Sequence, residues 1–171
     1  MKRIKRATSI ILAIACCMAV IMMLSSCSQE ENGGQNGNND SLFYVTYKDV
    51  RIELNKKADE VLEKLGAPQY EDNLGDCGGI GVQMKYTYGD IAINTLKEEK
   101  GEVVHKISFM NDLISTPKGI FIGSDEQDVR DAYGKPSSEE NGKLIYKNGD
   151  LELEFIIKSG SVSAVNYRRV R

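Results

Sequence analysis

The sequence predicts an α+β fold: two tandem repeats, each a short helical segment packed on an antiparallel meander sheet. Three observations predict it. The phrase EVLEKLGAP at 60–68 returns as DVRDAYGKP at 128–136, with an acid, Val, Gly and Pro in the same places. An alternating hairpin pattern follows each phrase, YTYGDIAI after the first and YKNGDLELEF after the second. Helical and strand periods therefore occur in separate blocks, which suits helices segregated to one face of an antiparallel sheet.

Each element has its own justification. The run VRIEL at 50–54 reads as a strand. Ala58, Val61, Leu62 and Leu65 then fall at i, i+3, i+4 and i+7, one face of a helix. Gly66, two positions before Pro68, reads as its stop, because Gly takes the left-handed C′ conformation and Pro cannot continue a helix. The stretch QYEDNLGDCGGIGVQ at 69–83 reads as a Gly-rich excursion. Met84, Tyr86, Ile91 and Ile93 alternate onto one face, and Val103–Phe109 supplies a third strand. After a linker at 111–118, GIFIG at 119–123 reads as a strand. Ser124 with Gln127 forms a capping-box pattern. Val129, Ala132 and Tyr133 form the second helical face, stopped at Gly134 before Pro136.

In the second meander, Asn148-Gly149 reads as a two-residue hairpin turn. That turn pairs Tyr146 with Leu151 and Leu144 with Leu153, and sets Lys143 against Glu154 and Lys147 against Asp150. The helix phrases repeat at an offset of 68 and the hairpins at 60, so the first repeat carries about eight more residues, within 69–83. The two units are expected to pack with their apolar sides together, since a unit this small has a marginal core alone.

The N-terminal 41 residues carry different information. Lys2, Arg3, Lys5 and Arg6 precede an apolar run of about 15 residues, too short for a spanning helix. Leu24-Ser25-Ser26-Cys27 follows and resembles the bacterial lipobox. The resemblance implies cleavage before Cys27, acylation of its thiol, and a chain held by lipid at the cell membrane or outer membrane on the extracytoplasmic side. Residues 28–40, SQEENGGQNGNND, hold no apolar side chain and read as a flexible tether. The expected organisation is a signal peptide at 1–26, a tether at 27–41, repeat 1 at 42–112 and repeat 2 at 113–171. Loss of the signal takes four of the 22 basic residues and none of the 25 acidic ones, leaving a net charge of −7. Such a chain does not suit nucleic acid. Cys16 and Cys17 leave with the signal, so Cys77 stands alone and no intramolecular disulfide is expected.

The helix-stop phrases Leu65-Gly66-Ala67-Pro68 and Tyr133-Gly134-Lys135-Pro136, with the two hairpins, resemble the β-lactamase-inhibitor-protein-like fold. A single unit is similar to the small outer-membrane-assembly lipoproteins of the SmpA/OmlA type. The likeness covers residues 47–171 and implies a fold whose sheet faces bind a protein. The inhibitor's disulfides have no counterpart here, and its contact residues do not map onto this chain.

Candidate chemistry is sparse. His105 is the only histidine and reads as a half-buried strand residue in phase with Ile107 and Phe109. Asp76 beside Cys77 opposes thiolate formation. Glu71, Asp72, Asn73 and Asp76 lack EF-hand spacing, and one His with one free Cys closes no zinc site. No catalytic residue, metal or cofactor is expected. The outward faces place Lys85, Thr87, Ala92 and Asn94 in repeat 1 with Lys143, Lys147, Glu152 and Glu154 in repeat 2. Tyr70 and Tyr88, near loop tips, are the expected aromatic anchors. These residues point to a non-enzymatic module that binds an envelope protein or peptide; the alternative is an envelope-assembly scaffold.

Overall fold

A computed structural model describes residues 42–76 and 79–170. The expected signal segment, Cys27, the tether and Cys77 lie outside the described residues. In chain order the elements are β1 (Tyr44–Tyr47), β2 (Val50–Glu53), α1 (Ala58–Leu65), β3 (Tyr70–Gly75), β4 (Gln83–Tyr88), β5 (Ile91–Glu98) and β6 (Gly101–Phe109). These are followed by α2 (Glu126–Tyr133), β7 (Ser138–Glu140), β8 (Lys143–Asn148), β9 (Leu151–Lys158) and β10 (Ser161–Arg169). Helices and an antiparallel sheet make the chain α+β.

Strands β1 and β2 form a separate hairpin, and the other eight make one sheet in the order β3-β4-β5-β6-β10-β9-β8-β7. The expectation of two apolar sheet sides closing on each other does not hold. The two third strands, β6 and β10, instead pair side by side, with Ser108 opposite Asn166. Edge-to-edge pairing satisfies backbone groups that two separate sheets would leave open, and it removes two strand edges.

One face of this sheet carries the core. Ile91, Ile93, Ile107, Leu153, Phe155, Val165 and Tyr167 are buried there. Ala58, Val61 and Leu65 of α1, Val129 of α2, and Val45 and Ile52 of the β1–β2 hairpin pack against them. Burial of each Val or Leu contributes about 1.5–3 kcal/mol, so the helical stripes read from the sequence are what dock the helices. Tyr133, Tyr146 and Phe155 add an aromatic cluster with ring centroids 5.2–6.0 Å apart.

Both helices stop at glycine, but not in the left-handed helical conformation. Gly66 has φ 73° and ψ −160°, and Gly134 has φ 73° and ψ −147°. Positive φ with ψ near 180° is a region that essentially only Gly occupies. The Gly66 carbonyl accepts from Tyr88 Oη at 3.2 Å, and the Gly134 carbonyl from Tyr146 Oη at 3.1 Å. The segments entering the helices are tied in matching ways. Asn55 N–H donates to Val104 O at 2.9 Å, and Gly123 N–H to Val162 O at 2.8 Å. Beyond the helices, Gln69 N–H donates to Thr87 O and Ser137 N–H to Ile145 O, each at 2.8 Å.

Several expectations shift. Residues 119–123 form no strand, because Gly119 (φ 81°) and Gly123 (φ 109°) turn the chain while Ile120 drops into the core. The capping box is Asp125 with Asp128, one residue beyond Ser124 and Gln127. Ser124 Oγ instead accepts from Phe121 N–H at 3.1 Å. The β8–β9 turn is Gly149-Asp150, so Tyr146 faces Leu153 and Lys147 faces Glu152. A turn centred on Asn148-Gly149 needs positive φ at both residues, whereas here Gly149 (φ 59°) has it and Asn148 does not. Pairing moves by two residues, so every side chain keeps its expected face. Residues 70–75 of the Gly-rich excursion form edge strand β3, and Ser138–Glu140 form the other edge. The register of β6 shifts at a bulge between Lys106, opposite Asn94, and Val104, opposite Thr95, which moves His105 out of phase with Ile107 and puts Val104 into the core.

Candidate binding face

Among the described residues the opposite face of the eight-stranded sheet carries no helix, since both described helices and the β1–β2 hairpin belong to the core side. Antiparallel register aligns its side chains in rows. One row runs Tyr70, Thr87, Ala92, Ser108, Asn166, Glu154, Ile145 and Ser138, one residue from each strand. The next runs Asp72, Lys85, Asn94, Lys106, Arg168, Glu152 and Lys147. Lys143, two residues from Ile145, continues the same face.

The structure thus brings Lys85, Thr87, Asn94, Lys143, Lys147, Glu152 and Glu154 onto one surface, with Tyr70 at its edge, 68% exposed. Tyr88 is not there. It is 2% exposed on the core side, with its hydroxyl on the Gly66 carbonyl, so it cannot be an exposed anchor. Its position ends β4 in phase with Tyr86, and that phase decides the face. Lys106, Ser108, Asn166 and Arg168 are additions to the expected set. Alternation along β6 and β10 was the available signal, because they interleave with the core residues Ile107, Phe109, Val165 and Tyr167.

The β10-β9-β8 half is an ionic lattice. Glu152 receives Lys147 Nζ at 2.8 Å and the Arg168 guanidinium at 2.7 Å. Glu154 receives Lys143 Nζ at 3.2 Å and Asn166 Nδ2 at 3.1 Å, and Ser108 Oγ donates to Asn166 Oδ1 at 2.8 Å. The two glutamates are only 3% and 5% exposed although, among the described residues, no layer of secondary structure covers them. The long stems of the partnering lysines and arginine shield them instead. Burial alone would raise the Glu152 carboxyl, but the hydrogen bonds from Lys147 and Arg168 outweigh it and hold it below the usual carboxylate range.

The β4-β5-β6 half differs. Lys85 and Lys106 flank Asn94 across neighbouring strands. Burial holds the Lys106 ammonium below its ordinary value; Glu154 opposes this, while Arg168, Lys85 and Lys143 reinforce it. A hollow of about 620 Å³ between β2 and α1 is lined by charges of both signs, including Arg51, Glu53, Lys56 and Glu60. It lies away from the residue rows. Among the described residues, no group of three or more His, Cys, Asp or Glu could hold a metal ion. No described helix is long and apolar enough to cross a membrane.

Comparisons with family models, with curated proteins and with solved structures return no match for this chain.

Proposed function

We propose that the chain is a lipid-anchored extracytoplasmic module that binds a protein or peptide at the cell envelope through the open face of its sheet, without catalysis. The observation that carries this reading is the open face itself. It holds two register-aligned rows of polar and charged side chains, fixed on rigid strands and covered by nothing among the described residues. A solvated face of single charges would leave long side chains free. Here Glu152, Glu154, Asn166 and Arg168 are already ordered by one another, which lowers the entropic cost of meeting a partner. The sequence supplies the address, through the lipobox resemblance at Cys27 and the polar tether after it.

We further infer that the module arose by tandem duplication. Contacts that tie helix to sheet recur at constant offsets. Asn55, Lys57, Gly66 and Gln69 correspond to Gly123, Asp125, Gly134 and Ser137, each 68 positions on. Their sheet partners Val104, Val103, Tyr88 and Thr87 correspond to Val162, Ser161, Tyr146 and Ile145, each 58 positions on. Ser108 and Asn166 are also 58 apart and pair with each other, so the local two-fold relating the halves runs between them.

Cross-linking tests it. A photo-reactive residue at Asn94, in the full-length protein within its envelope, is expected to capture one discrete partner. The same residue at Lys57, on the helix side, is expected to capture none. Capture only at position 57 would overturn the assignment of the face. Co-purification with an assembly machine would favour the scaffold alternative. Cys27→Ser is expected to move the protein from the membrane fraction to the soluble one, and retention would overturn lipid anchoring.

A further inference from the structure

Resting on the reading of the open face as the binding surface, we propose that its β4-β5-β6 half recognises an acidic polypeptide segment, with Lys85, Asn94 and Lys106 receiving side-chain carboxylates. The two halves of the face are electrically unlike. In the β10-β9-β8 half of the two rows and their continuation the cations already have acids: Lys143 and Lys147 hold Glu154 and Glu152, and Arg168 holds Glu152. On β4-β5-β6 neither Lys85 nor Lys106 makes an ion pair within 4.0 Å among the described residues, although Asp72 stands opposite Lys85 in the register. Lys106 is half-buried between Asn94 and Arg168. A half-buried cation with other cations beside it carries a cost that an incoming anion reduces. Burial together with Arg168, Lys85 and Lys143 penalises the Lys106 charge, and Glu154 favours it.

The arrangement of donors selects the class of anion. Lys85, Asn94 and Lys106 lie along a row on three adjacent strands, so the backbones that carry the two lysines stand roughly 10 Å apart at the usual strand spacing. These donors are rooted on three separate strands, whereas capture of a single phosphate favours donors rooted in one loop. A line of donors suits carboxylates spaced along a polypeptide. Tyr70, at the edge of the adjoining row and 68% exposed, offers an aromatic surface for the same chain. Thr87, Ala92 and Ser108 between them are small enough to let it approach.

The test titrates the full-length protein, in neutral detergent, with a fluorescent peptide of alternating Glu and Thr. The controls are its Gln-Thr analogue and inorganic polyphosphate. The Glu peptide is expected to bind, and to weaken as ionic strength rises from about 0.05 to 0.5 M. Lys85→Gln and Lys106→Gln are each expected to cost about fivefold in affinity, the upper end for one partly exposed ion pair. Lys57→Gln, on the helix side and away from the face, is expected to cost less than twofold by the same scale. A melting temperature for Lys106→Gln at or above that of the parent protein shows that lost binding is not lost folding. Equal affinity for the Gln peptide would overturn the proposal, as would an unaffected Lys106→Gln, an equal loss from Lys57→Gln, or tighter binding of polyphosphate. A partner cross-linked at Asn94 whose binding ignores both lysine changes would overturn the acidic chemistry while leaving the face as the binding surface. A partner captured only on the helix side would overturn both.

Discussion

Gly134 offers a test of the helix stop free of steric complications. A Cβ added at Gly134, or at Gly66, would meet nothing within 4 Å, so the cost of Gly134→Ala is conformational. The backbone there has φ 73° and ψ −147°. Residues with a Cβ held in that region cost about 1–3 kcal/mol. For a folded part of roughly 130 residues, 1 kcal/mol corresponds to roughly 3–5 °C in melting temperature. A loss of about 2 kcal/mol therefore appears as a fall of about 6–10 °C, read by circular dichroism or calorimetry. Gly134→Asn separates two kinds of helix stop. Asn tolerates the left-handed helical conformation, with ψ near +45°, but gains nothing when ψ is near 180°. Asn is therefore expected to be as damaging as Ala. Gly142→Ala gives the contrasting case, since its Cβ would lie 2.8 Å from the Ile157 carbonyl oxygen and add a clash to the strain. A change of less than about 1 °C for Gly134→Ala, or clear recovery with Asn, would refute this account of how the helices end.

Two further predictions concern contacts inside the fold. Tyr88→Phe and Tyr146→Phe each remove one hydroxyl–carbonyl hydrogen bond, from Gly66 and Gly134 respectively, and each is expected to destabilise by about 1 kcal/mol in denaturant titration. If one change is neutral and the other costly, the two halves are not energetically equivalent. The Glu152 carboxyl is held below its unfolded value, so its contribution is fully present above the unfolded carboxylate value of about 4.3 and is lost as pH falls through the lower folded value. Stability is therefore expected to drop more steeply below about pH 4.3 in the parent than in Glu152→Gln, and parallel profiles would count against the lattice.

What the sequence determined by itself is local. The helical stripe Ala58, Val61, Leu65 shows in the 3.6-residue period, and the helix stops show in Gly66 and Gly134 before proline. The face of every residue in β8 and β9 shows in the two-residue period, which survives a register shift of two. That is why Lys85, Thr87, Asn94, Lys143, Lys147, Glu152 and Glu154 were identifiable as one outward set. Tyr88 and Tyr146 show the limit. The Asn148-Gly149 dipeptide suggested one turn, and the φ of Gly149 in a Gly149-Asp150 turn gave another. Tyr88 looked like a loop-tip anchor, and its hydroxyl found the Gly66 carbonyl in the core.

What only the tertiary structure decided is how the two meanders meet. Nothing in the period of β6 or β10 says that Ser108 will stand opposite Asn166, because pairing between strands nearly sixty residues apart depends on the available edges and not on neighbours in sequence. That pairing makes one sheet of two. It also places Lys106 beside Arg168, and so turns scattered outward charges into a surface with a neutralised half and a cationic one. The electrostatics of the face arise at that join, because the cost of a charge depends on what surrounds it in space.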